Sequence, residues 1–208
     1  MGHIMLAPNQ SPPPSPFVIE DFVRLELEEH RHVFEATHRD IAQSFGQVLD
    51  ILQDSVRRGG KLLLFGNGGS AADAQHIAAE LVIRYKTDRP AIAAVALTTD
   101  TSALTACGND FGFDALFSRQ IEALARKDDV AIGISTSGLS ANVLAGLREA
   151  RHRGARTVGL AGGGGGDMVG VCDAIIVVPS RVTARIQEMH ILIGHMLCKA
   201  LEQRLGLV

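Results

Sequence analysis

Five short apolar runs, separated by longer stretches with helical periodicity, most constrain the fold of this chain. The runs are Lys61–Phe65, Ile92–Leu97, Val130–Ser135, Arg156–Ala161 and Ala174–Val178. They are continuous rather than alternating, which is typical of parallel strands buried on both faces. Helical stretches lie at about 70–85, 113–126 and 140–153, and a long helix of about 182–204 follows Pro179. This alternation predicts an α/β fold with a central parallel sheet covered by helices on both faces.

The chain before the first strand has a different rhythm. Residues 17–58 contain no Pro, and their apolar side chains recur at helical spacing. We therefore expect two N-terminal helices, with a break within 29–39 and an end at Gly59-Gly60. Residues 1–16 are rich in Pro and are expected to form a disordered or vector-derived arm. No linker divides residues 59–208, so we expect a single domain overall.

Charge and composition argue against several classes of function. The net charge is −3 and the pI is about 6.2, which provides no basic field for nucleic acid or for an anionic membrane. No segment approaches the roughly 18 apolar residues of a membrane-spanning helix, and the N-terminus does not resemble a signal peptide. The three cysteines have no CxxC spacing, as expected for reduced thiols. We therefore expect a soluble cytoplasmic protein.

Two loops rich in Gly and Ser follow two of the predicted strands and open two of the predicted helices. They are Gly66-Asn67-Gly68-Gly69-Ser70 and Ser135-Thr136-Ser137-Gly138-Leu139-Ser140. Backbone N–H groups at a helix N-terminus lack partners and favour an anion, and hydroxyls add directional donors. The alternative is that Ser and Thr are ordinary N-caps and that Gly only permits turns. Two such loops on one sheet favour a phosphate ligand. Neither loop fits G-x-G-x-x-G or G-x-x-x-x-G-K-[ST], so we expect a small phosphate ester rather than a nucleotide.

Two predicted helices carry polar groups suited to acid–base chemistry. His76 and Glu80 are four residues apart on the helix that starts at the first loop, although such a pair is often only exposed. The last helix carries Arg185, Gln187, Glu188, His190 and His195. Spacing alone does not choose between His190 and His195. Gln187 and His195 are separated by about 12 Å along the helix axis, so to act at one point they must lean together or come from different chains.

Several stretches of this sequence together resemble one family. They are GNGGSAADAQHIAAE, TTDTSALTACGNDFGF, FSRQ, ISTSGLSANV and RIQEMHILIGH, in order across roughly residues 17–204. They look like the sedoheptulose-7-phosphate isomerases (phosphoheptose isomerases) of the SIS-domain group. The resemblance implies a three-layer αβα sandwich, with an SIS domain over residues 59–208 and N-terminal helices that assemble a homotetramer with active sites between subunits. It also implies conversion of sedoheptulose 7-phosphate to D-glycero-D-manno-heptose 7-phosphate, for the heptose of lipopolysaccharide or capsule.

The resemblance also implies roles for individual residues. Glu80 matches the family's catalytic base, and His195 matches its partner acid/base. One zinc ion per subunit is implied at His76, Glu80, Gln187 and His195. The positions that match substrate-binding residues, with Glu80 again among them, are Asn67, Gly68, Gly69, Ser70, Asn109, Asp110, Ser135, Thr136, Ser137, Ser140 and Gln187.

The hypothesis for the mechanism is a proton transfer through an enediol. Glu80 would remove the proton from the carbon next to the carbonyl, and His195 would move protons between the two oxygens. A zinc ion would polarise the carbonyl. A carboxylate bound to a metal is a weaker base, so two alternatives to a catalytic zinc ion stay open. The metal could be structural, or its ligands could exchange during turnover.

Two other functions are compatible with an SIS domain. The first is a non-catalytic scaffold that binds a protein partner such as the replication initiator. The scaffold relative lacks equivalents of Glu80 and His195, and this chain has both. The second is an isomerase or regulator for another phosphosugar, such as a hexosamine phosphate. No appended amidotransferase or DNA-binding domain supports that alternative.

Overall fold

The fold is built around one sheet of five parallel strands. The computed structural model describes residues 17–208, so the arm predicted for residues 1–16 lies outside the described residues. The strands are β1 (Leu62–Gly66), β2 (Ala94–Ala96), β3 (Val130–Ser135), β4 (Arg156–Gly162) and β5 (Ala174–Val178), in the order β2-β1-β3-β4-β5. All four pairings are parallel, as the continuous apolar runs predict.

In the described part of the chain, residues 17–208, six α-helices cover the two faces of this sheet. They are α1 (Ile19–Arg57), α2 (Gly69–Val82), α3 (Thr101–Asp110), α4 (Leu116–Leu124), α5 (Ala141–His152) and α6 (Thr183–Arg204). Short 3₁₀ turns lie at Phe113–Ala115 and Gly166–Gly170.

Successive strand side chains point to opposite faces, which divides the core in two. Leu62 and Leu64 pack with α1, α2 and α6, whereas Leu63 and Phe65 pack with α4 and α5. The predicted three-layer αβα sandwich is confirmed.

The prediction of two N-terminal helices is wrong, because α1 runs without a break from Ile19 to Arg57. The predicted break region contains neither Gly nor Pro. Arg31 bridges it with ion pairs to Glu28 and Glu35 at 2.9 Å and 2.7 Å, one turn away on either side. The apolar periodicity fades there because this part of the helix is largely exposed and needs no core-facing stripe. A weak apolar pattern was therefore no evidence of a helix end.

Helix α3 was not predicted from the sequence. Thr101, Ser102 and Thr105 are weak helix formers, so the segment looks like a loop. Asp100 accepts a hydrogen bond from the Ala103 amide at 2.9 Å and caps the helix N-terminus. Elsewhere the predicted and observed strands agree closely, and β3 and β5 have the predicted bounds. Within residues 17–208, no helix is long and apolar enough to cross a membrane.

Candidate active site

The strand order places one crevice at the carboxyl edge of the sheet, between β1 and β3. The chain goes from β1 to the edge strand β2 and then returns to β3 on the other side of β1. At such a reversal the two neighbouring loops diverge and leave a crevice for ligands. The loops in question are the two Gly- and Ser-rich segments, because β1 ends at Gly66 and β3 ends at Ser135. The topology therefore brings both proposed phosphate loops to one place.

The β1 loop is joined to the start of α5 by a pair of amides. The Asn67 Nδ2 donates to Asn142 Oδ1, and Asn142 Nδ2 donates to Asn67 Oδ1, both at 2.8 Å. Gly68 has φ of 55°, a conformation that favours Gly, and it precedes α2 without a side-chain cap. Asn142 was not among the predicted site residues, although it lies only two residues after Ser140.

The β3 loop gathers three hydroxyls around the start of α5. The buried Ser135 Oγ lies 2.9 Å from Ser140 Oγ and 3.5 Å from Ser137 Oγ, and the Leu139 amide donates to Ser137 Oγ at 3.2 Å. Ser140 is the N-cap residue of α5, yet its side chain makes no capping bond. Simple capping therefore does not account for the hydroxyls. The first turn of α5 keeps donors that suit an anion.

His76, Glu80 and His195 converge on one point between α2 and α6. His76 Nε2 lies 3.3 Å from Glu80 Oε1 and 3.1 Å from His195 Nε2. One ligand atom from each of the three lies within 4.8 Å of the others. His76 is exposed, whereas Glu80 and His195 are half-buried. The Tyr85 ring lies against His195, with ring centroids 5.2 Å apart. The carboxylate and the imidazole that the mechanism requires are thus within reach of each other in a single chain.

Gln187 meets α2 at a different point from His195. Its side-chain amide lies against Gly69, where an added Cβ would be 2.4 Å from Gln187 Nε2. One residue before His195, Gly194 packs against Ile77 so closely that a Cβ there would be 2.5 Å from Ile77 Cδ1. The separation of Gln187 and His195 along α6 is therefore matched by the separation of Gly69 and His76 along α2. In this chain, α2 and α6 therefore pack side by side, with the amide at one end of their contact and the three acid–base groups at the other. The solvent-facing side of this contact is referred to as the groove.

Asp73 lies on the same stripe of α2, between Gly69 and His76. It is half-buried, and among residues 17–208 its Oδ2 has no hydrogen-bond partner. Burial raises the pKa of the Asp73 carboxyl, and the charge of nearby His76 partly opposes that shift. Asp73 was not among the predicted site residues, although the spacing 69, 73, 76 and 80 places it on this face of α2.

The other polar groups of α6 are structural in this chain. His190 is fully buried, and its Nε2 donates to the Ala161 carbonyl oxygen at 3.1 Å. Burial lowers the pKa of His190 to about 4, an effect that this hydrogen bond partly opposes, so His190 is neutral at pH 7. Arg185 is buried and pairs with Glu26 of α1 and with Glu188, at 2.9 Å and 3.2 Å. Of the two histidines left open by spacing, only His195 meets His76 and Glu80.

Asn109 and Asp110 lie at the end of α3. Their side chains are exposed and bond to each other, with Asn109 Nδ2 donating to Asp110 Oδ1 at 2.7 Å. A cleft of about 330 Å³ separates the β1 loop from α3 and is lined by Asn67, Gly68 and Thr105, among others. Asn109 directly follows Gly108 of that lining.

The three converging groups fit a divalent metal ion. Two imidazole nitrogens and a carboxylate oxygen are a common ligand set of zinc sites that keep one position open. Tetrahedral ligands about 2.0 Å from zinc lie about 3.3 Å apart. The separations of 3.1 Å and 3.3 Å in this chain agree with that spacing. His76, Glu80 and His195 thus form a possible metal-binding group.

Comparison with known proteins gives a consistent result. A family model for the SIS domain matches residues 27–162. The phosphoheptose isomerase of Paramagnetospirillum magneticum is 58% identical over 181 residues, which cover 87% of this chain and 94% of that protein. The solved phosphoheptose isomerase of Neisseria gonorrhoeae superposes with a TM-score of 0.84 at 41% identity, over 89% of this chain and all of that one. That of Francisella tularensis has a TM-score of 0.86 at 34% identity, over 90% of this chain and all of that one.

Proposed function

This chain belongs to the phosphoheptose isomerases of the SIS-domain family, and we propose that it converts sedoheptulose 7-phosphate to D-glycero-D-manno-heptose 7-phosphate through an enediol. It is an isomerase that acts on a sugar phosphate. The observation that carries the proposal is the convergence of His76, Glu80 and His195 in a groove that begins at the β1 phosphate loop. A cytoplasmic location and a product destined for lipopolysaccharide or capsule are part of the same proposal.

The phosphate would bind at the two loops and orient the sugar along the groove. Backbone donors at the starts of α2 and α5, with the hydroxyls of Ser70, Ser135, Ser137 and Ser140, suit a phosphate dianion. Asn67, Gly68, Gly69 and Thr136 line the same edge, and Gln187, Asn109 and Asp110 would contact sugar hydroxyls. Binding at one end positions the carbonyl end of the chain near Glu80, and positioning of this kind lowers the barrier substantially.

The chemistry is a proton transfer between neighbouring carbons. Glu80 removes a proton from C1 of the ketose as His195 donates a proton to O2, which gives the enediol. His195 then takes the proton from O1, and Glu80 returns its proton to C2, which leaves an aldehyde at C1. Atoms and charges balance, because each residue ends in the state in which it began. The closeness of the two groups, which have ligand atoms within 4.8 Å of each other in one chain, supports these assignments.

A zinc ion fits the same site. We propose that His76, Glu80, Gln187 and His195 hold one ion per subunit, of which His76, Glu80 and His195 already form a group of suitable spacing. When bound, zinc acts as a Lewis acid that polarises a carbonyl oxygen.

A homotetramer with active sites between subunits is also proposed. Large apolar side chains on the first half of α1 are exposed in the single chain, and they include Phe22, Leu25 and Leu27. Exposed apolar surface of this extent on one helix is typical of an interface. The groove is open to solvent at His76, which leaves room for a neighbouring subunit to complete the site.

The test is an activity assay on purified protein with sedoheptulose 7-phosphate, with and without a chelator. We expect conversion by the wild type and a fall in kcat by several orders of magnitude in Glu80→Gln, since the amide cannot accept the C1 proton. Glu122→Gln makes the same chemical change at a half-buried position of α4, far from the site, where the side chain pairs with Arg119, and it should leave kcat unchanged. Activity of Glu80→Gln near that of the wild type would remove Glu80 as the base.

A further inference from the structure

One buried ion pair lies just beyond the three converging groups. Arg89 and Glu202 are almost fully buried, and Arg89 Nε donates to Glu202 Oε1 at 2.8 Å. Burial of two charges is costly unless hydrogen bonds satisfy both of them. Stability alone is therefore a weak reason for this pair, and its other contacts indicate a more specific role.

The guanidinium of Arg89 binds the end of the helix that carries Glu80. Arg89 Nη2 donates to the backbone oxygen of Glu80 at 2.8 Å, and Nη1 donates to that of Leu81 at 2.7 Å. The last carbonyl groups of a helix lack intrahelical partners, and a cation at that end is favoured by the helix dipole. Arg89 thus caps α2 at the very residue whose side chain faces His76.

Glu202 belongs to α6, the helix that carries His195. Seven residues separate His195 from Glu202, so both lie on one face of α6, about 10 Å apart along its axis. Glu202 Oε1 also accepts a hydrogen bond from the Tyr85 amide at 3.4 Å. The Tyr85 ring in turn contacts His195, with centroids 5.2 Å apart. Arg89 and Glu202 therefore connect the backbone of Glu80 with the surroundings of His195.

We propose that the Arg89–Glu202 pair is a positioning device that sets the distance between the Glu80 carboxylate and the His195 imidazole. Gly69 at the Gln187 end and Gly194 beside Ile77 allow close approach of α2 and α6, but they do not fix the last turn of α2. Among residues 17–208, only the Arg89 side chain donates hydrogen bonds both to the Glu80 carbonyl oxygen and to Glu202 of α6. The effect on turnover rests on the proposed function, whereas the effect on distance does not.

The variant that tests the proposal is Arg89→Met combined with Glu202→Leu. It removes both charges together, so no uncompensated charge is buried and the fold is retained. The helix cap and the link to α6 are lost, while the phosphate loops at the other end of α2 are untouched. We expect kcat to fall at least tenfold, because a shift of about 1 Å in reacting groups costs up to about a hundredfold. The KM should stay within about threefold.

A control double variant removes an ion pair far from the site, in which Asp129 is buried and Lys61 is half-buried. Lys61 and Asp129 pair at 2.5 Å, next to the first residues of β1 and β3 at the opposite edge of the sheet. The double variant Lys61→Met with Asp129→Asn should lower the unfolding temperature about as much as Arg89→Met with Glu202→Leu does, but without lowering kcat. A purely structural role for Arg89 and Glu202 predicts that both double variants behave alike, and that outcome would overturn the proposal.

Crystal structures of the wild type and of the Arg89→Met/Glu202→Leu variant supply a readout that needs no substrate. We expect the separation of Glu80 Oε1 from His195 Nε2 to increase by about 1 Å or more, the shift that the expected loss of kcat requires. An unchanged separation would overturn the positioning role, whatever the activity. If the wild type fails to convert sedoheptulose 7-phosphate, the proposed function falls, and this distance alone decides the inference.

Discussion

Replacement of Gly69 by Ala should separate activity from stability. A Cβ at this position would lie 2.4 Å from Gln187 Nε2, 2.8 Å from Cδ and 2.9 Å from Oε1. Ordinary contact begins at about 3.4 Å, so the Gln187 amide has to move by about 1 Å. The obstacle is the far end of a flexible side chain rather than backbone, and Gln187 is therefore able to yield.

The cost to folding should be small. Moving Gln187 away from its preferred rotamer costs about 0.5–1.5 kcal/mol. Ala in place of Gly within a helix recovers about 0.5–1 kcal/mol. The two effects nearly cancel, so we expect the unfolding temperature to stay within about 3 °C, since 1 kcal/mol shifts a chain of this size by about 2–4 °C.

The cost to activity should be large if Gln187 acts as proposed. A displacement of about 1 Å in a substrate-positioning group lowers the rate by up to about a hundredfold, or about 2.7 kcal/mol in transition-state energy. The assay is kcat/KM for sedoheptulose 7-phosphate beside thermal unfolding. Gly46→Ala, in α1 with no neighbouring atom within 4 Å of the new Cβ, is the control and should keep full activity. A Gly69→Ala enzyme with wild-type kcat/KM would refute the role given to Gln187.

Three further predictions concern pH, metal and assembly. Because the pKa of His190 is lowered to about 4, the unfolded chain binds more protons than the folded chain between about pH 4 and 6.5. The free energy of unfolding should therefore fall by up to about 1.4 kcal/mol for each pH unit by which the pH is lowered through this range. Urea unfolding of His190→Gln should show a shallower dependence; an unchanged slope would contradict the buried neutral imidazole. Zinc bound per subunit, measured by mass spectrometry, should fall at least tenfold in His76→Ala but not in the exposed His152→Ala. Light scattering should show a smaller assembly for Leu27→Glu, and a wild-type mass would argue against the α1 interface.

The sheet was predictable because a buried parallel strand has to be apolar throughout. Nothing but burial decides the composition of β3, and its predicted bounds match the observed ones. The helices were harder to predict from the sequence than the strands. In α1, ion pairs of Arg31 replace core packing, and in α3 the cap at Asp100 compensates for weak helix formers. In both segments, local polar contacts decide the conformation, and apolar periodicity carries little information about them.

The site was predictable where spacing along one helix decides proximity. His76 and Glu80 are neighbours by their four-residue spacing, and the structure places them 3.3 Å apart. The proximity of His195 to His76 depends on how α2 and α6 pack. That packing includes the close contact of Gly194 with Ile77, two residues that are far apart in the sequence. The amide pair of Asn67 and Asn142 likewise depends on a contact between segments 75 residues apart. Contacts of this kind follow from the tertiary structure, and the spacing within a single motif does not contain them.

Incorporation of solvent deuterium into the product shows whether the reaction passes through an enediol with Glu80 as the base. The wild-type protein is incubated with sedoheptulose 7-phosphate in D₂O, and the product is followed by proton NMR. Because the Glu80 carboxyl group is only half-buried, the proton that it takes from C1 exchanges with D₂O before a proton is returned to C2. The enediol route therefore predicts an aldose phosphate with deuterium at C2, and no aldose phosphate with Glu80→Gln. Absence of the aldose, or an aldose with only protium at C2, would contradict the account.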